Sequence, residues 1–250
     1  RAGLPYVDGL TYAIMPDQST RMAALRSGAI DLITIGIPEV AAQELRRPGS
    51  GMVVQGCPTT TLWVLYMRND KPPFNDVRVR RAISMALDRQ VIINNVHMGR
   101  AVPTALGPPT DPLYPRVEDL PKEATQYLEY QPDRARKLPA EAGFPKGFDT
   151  TIIDTRRFGS PFNDMTEAWL GMLAEAGIRA KLDYIEYGAY SRMIQGEYEA
   201  MAASKMAGDS ATASALGKRL LRNFTSIAVG CSLARKSRPL SVNLKRPRPA

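Results

Sequence analysis

At 250 residues and 44% hydrophobic, the chain is long enough for one large domain or two smaller ones and apolar enough to build a core. No run of about 18 apolar residues occurs, which argues against a membrane-spanning helix. The net charge of +8 is unevenly spread: residues 201–250 hold ten Lys and Arg against one Asp, whereas residues 1–200 hold 23 basic and 24 acidic side chains. The body is therefore close to neutral, and any nucleic-acid reading of the basic character is confined to the tail. Arg1–Leu10 lacks the apolar segment of a signal peptide, so the chain reads either as a mature form or as one starting within a longer protein. Cys57 and Cys231 are too few and too distant in sequence to imply a metal site or a disulfide framework, and each is expected as a buried or free thiol.

Leu10–Met15 reads as a strand. Asp17 or Ser19 can cap a helix through Arg26, with Gly28 in the position favoured for helix stops. Ile30–Ile37 is a second apolar run of strand length, and Pro38 and Glu39 can start a helix to about Arg46. Met52–Val54 and Thr60–Met67 look like strands, the second rich in β-branched and aromatic residues. Pro72 and Pro73 cannot continue a ladder of hydrogen bonds. Asn75 or Asp76 can then accept from the free amides opening a helix, along which Val79, Ala82, Ile83, Ala86 and Leu87 recur at helical spacing. The arginines of this helix are expected to face solvent or nearby carboxylates.

From Gly99 to Pro115 the chain is rich in Pro and Gly and reads as a loop. Pro132–Gly143 reads as a helix carrying Pro139, which removes a hydrogen bond at a cost of about 3 kcal/mol and predicts a kinked or shortened helix. Thr150–Ile153 is a strand. Met165–Gly177 is an amphipathic helix with Met165, Trp169, Met172, Leu173 and Ala176 on one side. Ile178, Ala180, Leu182 and Tyr184 alternate as a strand, and Tyr187–Gln195 reads as a short helix. Alternation of strands and helices indicates an α/β fold. Beyond Ser210 the composition turns to Ser, Ala, Arg and Pro.

The most specific string is Lys71–Arg89, Lys-Pro-Pro-Phe-Asn-Asp-Val-Arg-Val-Arg-Arg-Ala-Ile-Ser-Met-Ala-Leu-Asp-Arg. It resembles the "PPF-D-VRVR-A-ALDR" segment of the family 5 solute-binding proteins of ABC importers, the dipeptide, oligopeptide and nickel receptors. Leu4-Pro5-Tyr6-Val7-Asp8, Pro16-Asp17 and Ala24–Asp31 resemble the family's "PYLD…IPD…ALQSGEIDI", and Pro132 to Gly143 resembles "D-ARKLLAEAGFP". The resemblance runs over about residues 4–209 in the family's order. It implies a periplasmic-binding-protein-like (type II), two-lobed α/β fold, partly represented in this chain. Residues 1–68 are expected in lobe I up to the hinge crossing and 69–209 in lobe II. Residues 210–250 form a basic tail unlike the family, expected to be disordered or to arise from a changed reading frame or truncated gene.

The residues by themselves offer no catalytic constellation. His97 is the single histidine, expected at a helix end and partly exposed, so any triad has only one candidate base and a histidine-rich metal site is excluded. No phosphate loop is present. No enzymatic activity, cofactor or metal is expected. A peptide receptor needs a carboxylate for the ligand's ammonium end and an Arg fork for its carboxylate end. With Gly177-Ile178 fixing the register, the resemblance implies Arg156, with its neighbour Arg157, as the carboxylate-binding arginine. It implies Asp209, in Gly208-Asp209, as the ammonium partner; Lys205-Met206 stands where the family carries Trp. Tyr184, Tyr187, Tyr190 and Trp63 could line an apolar cleft.

The resemblance therefore implies a monomeric receptor, periplasmic or extracellular and membrane-associated, that captures di- or oligopeptides and hands them to ABC permease subunits. Similar receptors take nickel complexes, opines and oligosaccharides. The chain lacks part of the family's length, so a truncated receptor that binds nothing is one alternative. A second is a nucleic-acid-associated protein using the basic tail, whose one aromatic for base stacking is Phe224.

Overall fold

The computed structural model describes residues 8–33, 37, 39–55, 61–104, 115–192, 198–207 and 230–233. The chain packs as two units divided between Val54 and Gln55. Strand β1 (Thr61–Met67) pairs along its length with β5 (Met201–Ala207), from Thr61 opposite Ala207 to Met67 opposite Met201.

The first unit carries two helices. Asp17 caps α1 (Gln18–Ser27) by accepting from the Thr20 amide, and Gly28 closes it in the left-handed conformation at φ 78°. Arg21 reaches back to the Met15 and Pro16 carbonyls, both at 2.7 Å. Helix α2 spans Glu39–Leu45, and Met22, Ala42 and Leu45 are buried. The expected strand over Leu10–Met15 is not formed, and Leu10, Tyr12 and Ile14 are exposed. Nor is one formed over Met52–Val54 or over the described part of Ile30–Ile37. Alternation supplies a strand's faces, but a strand also needs a neighbour to complete its ladder, and no neighbour stands there among the described residues.

The second unit is built on a four-stranded sheet in the order β1-β5-β3-β4. Strands β3 (Phe148–Asp154) and β4 (Ile178–Tyr184) are parallel and joined through α7 (Phe162–Glu175). Strand β5 is parallel to β3, Ile152 opposite Met201, and antiparallel to β1. Successive residues face opposite sides of the sheet. Ile152, Met201 and Ala203 thus join the main core with Leu65, Met67, Val79, Ile83, Phe162, Met165, Trp169 and Leu173. Ile153 and Ala202 face the other way, onto Tyr190 and Tyr198.

Helix α3 (Val77–Ala86) is capped by Asp76, which accepts from the Arg78 amide, and it packs on α6 (Pro132–Glu141) and α7. Arg78 is exposed and pairs with the Asp76 carboxylate as expected, whereas Arg80 and Arg81 are half-buried and have no carboxylate within ion-pair distance among the described residues. Arg80 donates to the Phe74 and Asn75 carbonyls, and Arg81 lies 4.3 Å over the Tyr127 ring. Arg89, at the start of α4 (Arg89–Asn95), is buried and donates to the carbonyls of Ser84 and Leu128 and to the Ser84 hydroxyl. Buried backbone carbonyls require donors, and a guanidinium supplies several at once. Helix α6 continues past Pro139 to Glu141 rather than stopping before it. Pro139 lacks the N–H that would donate to the Ala135 carbonyl, but its own carbonyl accepts from the Ala142 and Phe144 amides that close the helix.

Of the Pro- and Gly-rich connection, Ala101–Thr104 forms β2, paired with β6 (Gly230–Leu233), so a stretch of the tail expected to lack order is paired backbone. Cys231 stands in β6 opposite Pro103, and Cys57 lies outside the described residues. Two short helices, α5 (Lys122–Thr125) and α8 (Tyr187–Arg192), complete the described elements with two 3-10 turns, Val117–Asp119 and Arg156–Phe158. No helix among the described residues is long and apolar enough to cross a membrane.

Candidate functional site

Strands β3 and β4 run in parallel and end side by side, Asp154 opposite Tyr184. In open α/β sheets the carboxyl ends of the strands are where ligands bind, because loops rather than helix bodies meet there. Arg156 and Arg157 leave β3 at this edge.

Their turn is fixed from below. Asp154 is fully buried, and its carboxylate accepts from the Thr155 amide at 2.6 Å and from Asn163 Nδ2 at 3.1 Å. Asn163 Nδ2 also donates to the Thr155 carbonyl, and the Thr155 hydroxyl accepts from the Arg157 amide. Burial raises the Asp154 carboxyl above its ordinary value, while the Thr155 amide, Asn163, Thr166 and the Arg156 charge pull it back. Gly159 ends the turn at φ 62°, a conformation costly to other residues.

Above this network both guanidiniums are exposed and each lies over an aromatic ring. Arg156 sits 4.0 Å from the centroid of Tyr184, and Arg157 4.7 Å from that of Tyr187. The Tyr184 hydroxyl donates to Glu167 at 3.0 Å. Desolvation, and then this carboxylate, push the Tyr184 phenol up to about 12. Among the described residues neither arginine has a carboxylate within ion-pair distance.

An aromatic row runs from this edge toward β1. Phe158 meets Tyr187, Tyr190 and Phe162 edge-on, and Phe162 packs 5.2 Å from Trp63. The structure thus brings Arg156, Arg157, Tyr184 and Tyr187 together. Tyr190 is instead a core residue whose hydroxyl donates to the Ala203 carbonyl. Trp63 is half-buried between Phe162 and His97. Asp209 lies outside the described residues. Sequence reading missed Phe158, Asn163 and Glu167; the spacing of Phe158 and Phe162 across a Gly-Ser-Pro turn was the available signal for the first.

His97 is buried, not partly exposed, and its ring meets Trp63 edge-on at 5.1 Å. No cluster of three metal-ligating side chains occurs among the described residues. In the first unit a shallow cleft of about 460 Å³ is lined by Asp17, Met22, Arg26 and Glu44, whose charged groups are engaged in the α1 cap and an Arg26–Glu44 ion pair.

The sequence model of "Bacterial extracellular solute-binding proteins, family 5 Middle" matches residues 1–223. Heme-binding protein A of Haemophilus influenzae is 32% identical over 200 residues, covering 78% of this chain and 35% of that protein. "Probable di/tripeptide-binding protein 5" of Pseudomonas aeruginosa is 32% identical over 204 residues, covering 79% and 36%. Among solved structures, the periplasmic binding protein DppA of Helicobacter pylori in complex with the peptide STSA is similar at a TM-score of 0.64 and 30% identity, covering 78% of this chain and 36% of that one. The chain spans about a third of the length of these relatives. The α/β architecture at the strand ends and the match over most of the sequence agree: the chain belongs to the bacterial extracellular solute-binding proteins of family 5.

Proposed function

We propose that the chain is part of the substrate-binding component of an ABC importer, and that it captures di- or oligopeptides outside the cytoplasmic membrane for delivery to the permease. The observation that carries the reading is Arg156: an exposed guanidinium stacked on Tyr184 at the carboxyl edge of β3 and β4, with no acidic partner among the described residues. A planar cation stacked on one face still presents its N–H edge to a carboxylate. Arg157 lies next to it, and Asp209, two positions beyond β5 in the sequence, is the proposed partner of the ligand's ammonium end. Similarity to a di/tripeptide-binding protein and to a peptide-bound receptor supports peptides as ligands. The receptor would act as a monomer, without nucleic acid, and be held at the membrane through its permease.

The test is a titration of the 250-residue chain with Ala-Ala and with Ala-Ala amide, followed by NMR at the arginine Nε–Hε groups. Arg156 is expected to shift with the free acid and to respond weakly or not at all to the amide. Equal responses to both would exclude a carboxylate-binding role.

A further inference from the structure

We infer that Arg156 and Arg157 form a two-guanidinium clamp selecting peptides whose C-terminal residue is Asp or Glu, so that the ligand presents two carboxylates; this rests on the ligand-binding reading of the two arginines given above. Adjacent arginines ordinarily spread apart or recruit acids. Each of these two is held on a ring, Arg156 over Tyr184 at the end of β4 and Arg157 over Tyr187 at the start of α8.

The surrounding acids are already engaged elsewhere. Glu167 accepts from the Tyr184 hydroxyl, and Glu186 accepts from the Gly188 and Ala189 amides that open α8. Asp154 is buried on the Thr155 amide and Asn163, and Asp164 accepts from the Ser160 hydroxyl. Asp183 precedes Tyr184 in β4 and so belongs to the opposite face of the sheet. Among the described residues no carboxylate lies within ion-pair distance of either guanidinium, so two positive charges face solvent without a direct partner. A single carboxylate neutralises one of them; the α- and side-chain carboxylates of a terminal Glu neutralise both.

The Glu167 contact adds to the effect. A phenol that donates to a carboxylate becomes more electron-rich, which strengthens its hold on the stacked cation. The buried Asp154–Asn163 network fixes the backbone from which both side chains start. Little ordering is then left for the ligand to bring about.

The discriminating pair of probes is Ala-Glu and Ala-Gln, which share shape and differ by one charge. Each is titrated at low ionic strength into the 250-residue chain, with the Nε–Hε resonances of Arg156 and Arg157 as the readout. An added exposed ion pair tightens binding by up to about fivefold, so Ala-Glu is expected to bind about threefold to fivefold more tightly and to shift both arginines. In Arg157→Gln, with folding verified by circular dichroism, the ratio is expected to fall to about one. Equal affinity for both peptides in the unsubstituted chain, or an unchanged ratio in R157Q, overturns the clamp and leaves the single-carboxylate reading standing. No response to either peptide overturns both. A response to inorganic phosphate equal to that to Ala-Glu marks a general dianion site and overturns the assignment to acidic peptides.

Discussion

His97 sits just beyond α4, 6% exposed, with its Nε2 buried and without a hydrogen-bond partner. Desolvation pulls its pKa down from 6.5 to about 4. The unfolded imidazole takes up a proton near pH 6.5 and the folded one not until about 4, so the contribution is complete above 6.5 and is lost as pH falls across that window. Stability at pH 5 is expected to be about 2 kcal/mol below that at pH 7.5. Urea unfolding at the two pH values measures this, and His97→Phe should remove most of the difference. Asp154 acts with the opposite sign, because a raised carboxyl pKa favours the folded state as pH falls. Neither effect was legible in the sequence. A lone histidine at the end of an apolar periodicity gives no sign of which strand will cover it, and Trp63, which does so, lies far away along the chain.

At the scale of elements, local chemistry predicted β1, β3 and β4 and the longer helices α1, α3, α6 and α7, but neither β5 nor α4. Asp17, Asp76 and Asp88 cap their helices through their own side chains. The alternation over Ile178–Tyr184 is a real strand. The same alternation failed over Leu10–Met15, since a pattern of side chains cannot provide a neighbouring strand. Arg89 was also misjudged. Its place in an amphipathic helix-and-cap string suggested a solvated charge, yet it is buried among carbonyls from Ser84 and from Leu128, a residue remote in sequence. One element-scale constraint does come down to a single atom. A Cβ on Gly147 would lie 1.9 Å from the Gly177 carbonyl oxygen, and φ there is +70°. The β3 and β4 backbones meet at this point, where the Phe148 amide donates to the same oxygen. Gly147→Ala is therefore expected to cost about 3 kcal/mol or more, through both clash and backbone strain. Gly159→Ala meets open space and should cost only the strain of its φ, about 1 kcal/mol. Thermal unfolding of the two variants checks the ranking; equal losses would contradict it.

At the scale of the molecule, type II receptors bind by closing two lobes on a ligand, while this chain spans about a third of the relatives it matches. A single strand edge contributes only part of such an enclosure. The 250-residue chain is accordingly expected to bind dipeptides weakly by isothermal titration calorimetry, and submicromolar affinity across a dipeptide panel would contradict that. The sequence by itself determined the family, the α/β class and where α1 and α3 begin, because these depend on residues close together in the chain. The candidate arginines came from the resemblance, and the structure places them at the carboxyl edge of β3. Only the tertiary structure decided that β1 belongs with β5 rather than with the first unit, and that Tyr190 is core whereas Tyr184 and Tyr187 carry the arginines. It alone placed a buried Asp154 network beneath them. Those outcomes depend on which strand ends and side chains meet across long separations in sequence, and the string Lys71–Arg89, informative as it is about family, holds no record of its partners in space.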